Sequence, residues 1–297
     1  MRIAQFDHDG SPGVGRVLDE RRVVPLRVPA EMSGDEAVIA LAMGDLAAED
    51  AGEALIPQAL AAPLRHPPSI RDFMLFEEHL ANGLRPYGKK VPAAWYAAPA
   101  FYFTNPHTVL PPGATLEPPE SEKLDYELEV AVVVGRPLRN PSRDEALAGI
   151  AGYALFNDLT LRDVQAGERP VGLGPAKSKD FASALGPWLV TPDEVPGDPA
   201  RPDLEVSASV NGEQWSAGAV NTMYFDLAET ITHAARDSWV LPGDVLGTGT
   251  VPTGCVLELT ADGTREPYHW LRPGDEVVFD GGVLGRLGIT VGDRRRG

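Results

Sequence analysis

The chain has 297 residues, of which 43% are hydrophobic and 23% charged, a composition that excludes disorder of the whole chain. Its 43 acidic residues outnumber its 26 basic ones, and the formal charge of −17 argues against a binder of nucleic acid or of anionic membranes. The basic tail formed by Arg294, Arg295 and Arg296 is too short to reverse that balance. The single cysteine, Cys255, excludes an intrachain disulfide. The start of the chain lacks a hydrophobic run of signal-peptide length, and no apolar run of about 18 residues occurs, so we expect a cytoplasmic protein.

The chain contains 31 glycines and 28 prolines, which disfavours a helical bundle and favours many short strands joined by turns. Alternation and turn residues predict strands, in chain order, at 2–6, 14–18, 23–28, 124–135, 152–156, 188–191, 204–210, 245–250, 256–260, 276–279 and 284–291. Apolar spacing predicts helices at 36–48, 69–84, 143–148 and 227–235, with a helical turn or two over 158–165. Asn211-Gly212 is the strongest hairpin signal.

The length favours about two domains. Short strands dominate the first 27 residues, and a segment rich in proline and alanine follows at 57–68. We therefore predict a small β-rich N-terminal domain at 1–65 and a larger domain at 66–297, with a soft boundary near Pro67-Pro68.

The sharpest local pattern is the acidic segment DYELEV at 125–130. Side chains alternate along a strand, so Glu127 and Glu129 share a face, with Cα atoms roughly 6.6 to 7 Å apart, and both can reach one cation. The alternative is a solvated acidic face. The apolar residues 131–134 that follow are typical of a strand buried on both faces, and buried carboxylates need a metal or a basic partner.

A second polar group follows at Asp158, Arg162 and Gln165, which have the spacing of one helix face. They are either an ordinary surface ion pair or a third carboxylate ligand with two neighbours that face the same cavity. A set of oxygen ligands suits Mg²⁺, Mn²⁺ or Ca²⁺ rather than zinc.

Asp72 and His79 lie seven residues apart, and hence on one face of the predicted helix 69–84. Asp72 alone is also explained by a charge at a helix N-terminus, and His79 alone by a half-buried histidine.

Several segments, taken together and in this order, resemble the fumarylacetoacetate hydrolase family. They are DYELEVAVVVG, FNDLTLRDVQ, GPAKSKDFASALGPWLVTPDE, VNGE, LPGDVLGTGT, GCVLEL and PGDEV. The resemblance covers about 69–291. The resemblance implies a mainly β fold with peripheral helices, in which a mixed β-roll catalytic domain follows the small N-terminal one. It also implies a homodimer.

The resemblance further implies roles for individual residues. Glu127, Glu129, Asp158 and Asp72 match the metal-binding carboxylates. His79 matches the catalytic histidine, and Glu258 matches its acidic partner. Lys177, Arg162 and Gln165 match catalytic positions on the substrate side, where they suit stabilisation of an oxyanion. Thr250 and Tyr102 match substrate-binding positions. The spacing to LGPW at 185–188 favours Lys177 over Lys179, although a lysine in this loop is also ordinary as an exposed side chain.

The resemblance implies a metal-dependent hydrolase that cleaves a C–C bond. Its substrate would be a small β-diketone or a 2-oxo acid such as an acylpyruvate. In this interpretation His79 and Glu258 activate water, and a divalent metal, Mg²⁺ before Mn²⁺ or Ca²⁺, stabilises the enolate. One alternative uses the same metal site for decarboxylation, isomerisation or dehydration of a 2-oxo acid. Another is a binding module that holds Ca²⁺ without turnover. Where fumarylacetoacetate-cleaving members have a tyrosine two residues after the aspartate, this chain has Met74, which leaves the substrate open.

Overall fold

The computed structural model describes residues 1–264 and 266–294, so Arg295 and Arg296 of the basic tail lie outside the described residues. The strands are β1 Arg2–His8, β2 Ser11–Val17, β3 Val23–Pro25, β4 Ala59–Leu60, β5 Ile70–Phe73, β6 Phe101–Thr104, β7 Val109–Leu110, β8 Ala114–Leu116, β9 Leu124–Asp125, β10 Leu128–Val134, β11 Ile150–Asn157, β12 Thr160–Leu161, β13 Ser183–Val190, β14 Gly197–Asp198, β15 Arg201–Pro202, β16 Glu205–Val210, β17 Glu213–Ala219, β18 Val245–Gly247, β19 Glu276–Asp280 and β20 Arg286–Val291. The α-helices are α1 Gly34–Ala42, α2 Glu77–Leu84, α3 Arg143–Ala148, α4 Arg162–Glu168, α5 Leu227–Ala234 and α6 Val256–Leu259.

Two large sheets form the body of the protein. The larger has the order β3-β2-β1-β13-β11-β10-β18-β5-β6, with β4 beside β1 and β7 beside β13, and the smaller has the order β17-β16-β19-β20-β8. Apolar side chains from both sheets share one core, in which the rings of Tyr126 and Phe279 lie 5.9 Å apart. This mainly β architecture with peripheral helices is the fold class predicted from the sequence. None of the helices in the described part of the chain has the length and apolar character needed to cross a bilayer.

The N-terminal strands belong to the larger sheet. Strand β1 pairs antiparallel with β13, and Ile3 lies opposite Leu189. Strands β2 and β3 then extend the sheet outward from β1. The chain before residue 66 thus shares backbone hydrogen bonds with the rest of the protein, and the domain division at residue 65 stays a prediction.

The predicted hairpin at Asn211-Gly212 is confirmed. Val210 of β16 pairs with Glu213 of β17, which leaves a loop of two residues. Both loop residues have positive φ, 52° at Asn211 and 82° at Gly212, as a type I′ turn requires. Asparagine tolerates this conformation, and glycine adopts it without steric cost.

The predicted helix at 69–84 is wrong in its first half. Residues Ile70–Phe73 form β5, which pairs parallel with β18 and antiparallel with β6, and α2 begins only at Glu77. All four residues of β5 are buried, and pairing on both sides satisfies their backbone groups. The apolar spacing of Phe73 and Phe76 imitates a helix face, but both rings pack into the core between sheet and helix.

Two shorter predictions are also wrong. Asp158 does not lie on a helix with Arg162 and Gln165, because Thr160–Leu161 forms β12 against β9 and α4 begins at Arg162. The predicted strand at 256–260 is instead the short helix α6. Its first amides, from Val256 and Leu257, donate to the Asp125 carboxylate at 2.8 and 3.1 Å. The Asp125 side chain, from β9, thus accepts from backbone amides that have no partner within the first turn of a helix.

Candidate active site

A cavity of about 610 Å³ opens where β5, β10 and β18 approach helices α2 and α4. Its inner end is acidic and its wall carries polar side chains from both helices. Most of the residues singled out in the sequence line it: Asp72, His79, Tyr102, Glu127, Glu129, Arg162, Gln165 and Thr250. Segments far apart in the chain therefore meet at one site.

Four buried carboxylates form the inner end of this site. Asp72 comes from β5, Glu129 from β10, and Glu127 and Asp158 from the residues next to β10 and β11. One oxygen of each carboxylate lies within 4.8 Å of one from every other. The sheet explains the convergence, because β10 pairs with β11 and β18, and β18 pairs in turn with β5.

Two buried cations compensate part of this charge. Lys179 Nζ contacts the carboxylates of Glu127 and Asp158. Arg162 donates from Nη2 to Glu127 Oε1 at 2.7 Å and from Nε to Asp125 Oδ2 at 2.8 Å. Burial alone would raise the pKa of Glu127, but the charges of Lys179 and Arg162 outweigh it and hold that pKa below its ordinary value. Burial opposes the charge on Lys179, yet Asp158 and Glu127 raise its pKa above the usual value.

The other three carboxyls behave in the opposite way. Burial raises the pKa of Asp72, of Glu129 and of Asp158, and for Glu129 and Asp158 the neighbouring carboxylates raise it further. Asp72 Oδ1 and Asp158 Oδ1 are buried and have no hydrogen-bond partner among the described residues. An orphaned buried carboxylate oxygen is costly unless a cation meets it. The four residues therefore fit a divalent cation that prefers oxygen ligands.

His79 and Glu258 form a hydrogen-bonded pair at the cavity wall. His79 Nδ1 lies 2.7 Å from Glu258 Oε2. The other groups that bond Glu258 are donors: Asn82 Nδ2 at 2.9 Å, the amide of Thr253 at 3.1 Å and the thiol of Cys255 at 3.5 Å. A carboxylate surrounded by donors accepts from His79 as well, so Nδ1 carries the proton and Nε2 is left as an acceptor. This is the tautomer that a histidine needs to take a proton from water.

The sequence-based choice between the two lysines is corrected by the structure. Lys177 points outward, with 77% of its side chain exposed, and pairs with Asp180 at 2.8 Å. Lys179 is buried against the carboxylates and lines the cavity. The backbone decides this, because a turn in which the amides of Lys179 and Asp180 donate to the Ala176 carbonyl directs the two lysines to opposite sides. Spacing along the chain does not reveal such a turn.

The remaining predicted residues contact the carboxylate cluster or its cations. The Tyr102 hydroxyl donates to Asp158 Oδ2, and Thr250 Oγ1 donates to Glu129 Oε1 at 3.3 Å. Gln165 Oε1 accepts from Arg162 at 3.3 Å. Arg162 does not pair with Asp158, as its spacing suggested, but with Asp125 and Glu127.

Besides Lys179, the residues Asp125 and Asn82 of the site received no role from the sequence. Asp125 stands two residues before Glu127 in the acidic segment, and it both binds Arg162 and holds the start of α6. Asn82 lies one helical turn after His79 and bonds the same glutamate. Asp125 could have been singled out from the sequence, because it belongs to the acidic motif. Asn82 could not, because its role depends on Glu258 packing against α2 in the folded protein.

Comparison of the sequence with known protein families and curated proteins gives clear matches. Residues 70–292 match the family model described as fumarylacetoacetate (FAA) hydrolase, C-terminal. A 2,4-didehydro-3-deoxy-L-rhamnonate hydrolase of Sphingomonas sp. (strain SKA58) is 38% identical over 178 residues, covering 54% of this chain and 61% of the relative. The mitochondrial oxaloacetate tautomerase FAHD2A of Bos taurus is 36% identical over 174 residues, covering 59% and 51%.

Among solved structures, a probable 2-hydroxyhepta-2,4-diene-1,7-dioate isomerase from Mycobacterium abscessus superimposes with a TM-score of 0.75 at 27% identity, over the full length of both chains. In the two curated relatives the match spans only about half to three fifths of the relative's own length. These relatives carry hydrolase, tautomerase and isomerase names on one fold. Since the family model covers most of the sequence, the chain is an enzyme of the fumarylacetoacetate hydrolase family.

Proposed function

We propose that this enzyme is a metal-dependent hydrolase that cleaves a C–C bond in a β-diketone or acylpyruvate. The observation that carries the proposal is His79, which bonds Glu258 and lines the same cavity as three of the four clustered carboxylates, Asp72, Glu127 and Glu129. An enzyme that only moves a proton between two carbons of its substrate has no need of a base that activates water. A histidine with its tautomer fixed and its second nitrogen free suits that task.

Asp72, Glu127, Glu129 and Asp158 would hold the cation, and Mg²⁺ is the ion we favour over Mn²⁺ and Ca²⁺. When bound, a divalent cation supplies Lewis acidity toward two oxygens of a dicarbonyl substrate and stabilises negative charge on them. The cavity around the carboxylates accommodates a small molecule of this kind.

The chain's own residues account for the proton transfers. His79 Nε2 takes a proton from water, and the resulting hydroxide adds to the carbonyl carbon of the bond to be cut. Glu258 stabilises the imidazolium that forms. The N–H donors of Lys179 and Arg162 lie at the inner end of the cavity, where they stabilise the oxyanion of the tetrahedral intermediate. Collapse of this intermediate gives a carboxylic acid, and the carbon fragment leaves as an enolate that recovers a proton from His79.

The alternative uses the same carboxylates for isomerisation, tautomerisation, decarboxylation or dehydration of a 2-oxo acid. The tautomerase relative and the solved structure named as an isomerase support it. The two proposed reactions can be distinguished by one atom of the product, because hydrolysis places an oxygen of water in the acid that forms. A non-catalytic Ca²⁺-binding module is the third possibility, and it predicts stabilisation by metal without turnover.

The test is the ultraviolet loss of acetylpyruvate with Mg²⁺, with Mn²⁺ and with chelator, for the parent enzyme and for His79→Ala. We expect metal-dependent loss that falls about 10²- to 10⁴-fold in the variant, the range for general acid–base catalysis. In ¹⁸O-labelled water the acetate formed should carry the label. Metal-dependent loss that survives in the variant would remove His79 from its proposed role, and turnover of a 2-oxo acid without label would support the alternative.

Three further properties are part of the proposal. Homodimer formation and a cytoplasmic location follow from the resemblance and from the composition. The small β-rich N-terminal domain at 1–65 is proposed from the strand pattern before residue 66, although its strands pair with the larger sheet. Size-exclusion chromatography with light scattering tests the first.

A further inference from the structure

Helix α2, which carries His79, consists mostly of half-buried and exposed residues. Of its eight residues only Asn82 is buried, and its N-cap residue, Phe76, makes no side-chain capping bond. Helix α2 packs against α6, which carries Glu258. The buried residue of this short helix is thus polar. Because a buried amide without hydrogen-bond partners is costly, Asn82 is expected to have a specific hydrogen-bonding role.

Both ends of the Asn82 amide have partners. Nδ2 donates to Glu258 Oε1 at 2.9 Å, and Oδ1 accepts from the guanidinium of Arg85. Because a guanidinium only donates, the contact with Arg85 fixes which end of the amide is the oxygen. The NH₂ group therefore faces Glu258, and Arg85 stabilises the amide from behind.

His79 and Asn82 lie three residues apart, on one face of α2. The Glu258 carboxylate bridges them, with Oε2 toward His79 and Oε1 toward Asn82. Oε1 also accepts from the Thr253 amide at 3.1 Å, and Asn82 adds a second donor to this oxygen from the same helix face as His79. Donors on both oxygens set the plane of the carboxylate. The plane of this carboxylate in turn sets the orientation of the imidazole ring and keeps the proton on Nδ1.

We propose that Asn82 is a positioning residue for His79, held by Arg85 and acting through Glu258. The inference rests on the proposed function for its catalytic consequence, but not for its structural one. Asn82 does not line the cavity, so it acts on the orientation and tautomer of His79 rather than on substrate binding. Outer hydrogen-bond partners of this kind change activity by about 10- to 100-fold when they are removed.

The experiment compares Asn82→Asp and Asn82→Leu, both close in size to asparagine, with Glu78→Gln on the exposed face of the same helix as control. Kinetics with acetylpyruvate and Mg²⁺ are measured together with the ¹⁵N spectrum of the histidine rings, in which His79→Ala identifies the His79 signals. We expect kcat to fall about 10- to 100-fold in both Asn82 variants, with KM within about twofold of the parent. The His79 nitrogens should shift from one tautomer to a mixture, and Glu78→Gln should match the parent.

A residue that only stabilises the fold would lower the unfolding midpoint and leave the His79 tautomer unchanged in the folded protein. An unchanged spectrum, or parent kcat in both Asn82 variants, would overturn the proposal. Asn82→Asp keeps the test available if Asn82→Leu does not fold. If the parent does not hydrolyse acetylpyruvate but the His79 spectrum changes in the variants, then the proposed hydrolysis has failed and the positioning role stands.

Discussion

Replacing Lys179 with methionine tests the electrostatic organisation of the site directly. Its ammonium group is buried between the carboxylates of Glu127 and Asp158, and Arg162 is the other buried cation that contacts the cluster. Methionine keeps much of the volume of the side chain but removes the charge. The carboxylates of Glu127 and Asp158, which are 4% and 0% exposed, then lose a partner.

The size of the effect follows from burial. Removing one partner of a buried ion pair costs about 3–5 kcal/mol, because the remaining charge is left uncompensated. Lys179 is only 4% exposed, so solvent does not screen the loss. Protonation of Asp158, whose pKa burial already raises, relieves part of the cost at low pH. We therefore expect the loss of about 3–5 kcal/mol in the free energy of unfolding to be largest near pH 8.

The assay is guanidinium unfolding in chelator at pH 8, with Lys177→Met as the matched control. Lys177 lies two residues away but is exposed, so its replacement should change the free energy of unfolding by no more than about 0.5 kcal/mol. Saturating Mg²⁺ should restore part of the stability lost in Lys179→Met, because the cation takes over the compensation of the carboxylates. Equal stability of the two variants in chelator would refute this account of the cluster.

Two further outcomes follow from the same carboxylates, and a third follows from the backbone beside them. Because burial raises the pKa of Asp72, Glu129 and Asp158, the folded metal-free protein holds protons that the unfolded chain releases above about pH 4, and its stability falls as pH rises through the raised values. Thermal unfolding with and without Mg²⁺ should thus show a larger metal stabilisation at pH 8 than at pH 5, and equal stabilisation would contradict it. Glu129→Gln should leave the metal-free protein as stable or more stable at pH 8, yet weaken Mg²⁺ binding by at least about tenfold, or 1.4 kcal/mol, in a titration followed by calorimetry. Gly249→Ala should lower the free energy of unfolding by about 1–3 kcal/mol in denaturant titrations, since Gly249 has φ +83° and an added Cβ would clash with the Phe73 carbonyl; parent stability would show that the turn can adjust.

The sequence by itself identified most of the residues that meet at the candidate site. The acidic segment at 125–130 and the spacing of Asp72 and His79 led to side chains that meet in one cavity. Glu258 was matched to His79 across 179 positions, and the two atoms lie 2.7 Å apart. The mainly β character was also readable, because turn residues and alternation are local properties of the chain.

What the sequence could not give was decided by contacts between distant segments. Pairing with β18 and β6 made a strand of Ile70–Phe73, and the Asp125 carboxylate made a helix start of Val256. A turn closed by the Ala176 carbonyl put Lys179 rather than Lys177 among the carboxylates. In each case the free energy of burying a backbone group or a charge with its partner exceeds the tenths of a kcal/mol by which local propensities differ. The residue types and their order identified the candidate residues, and tertiary burial determined which of them share the site.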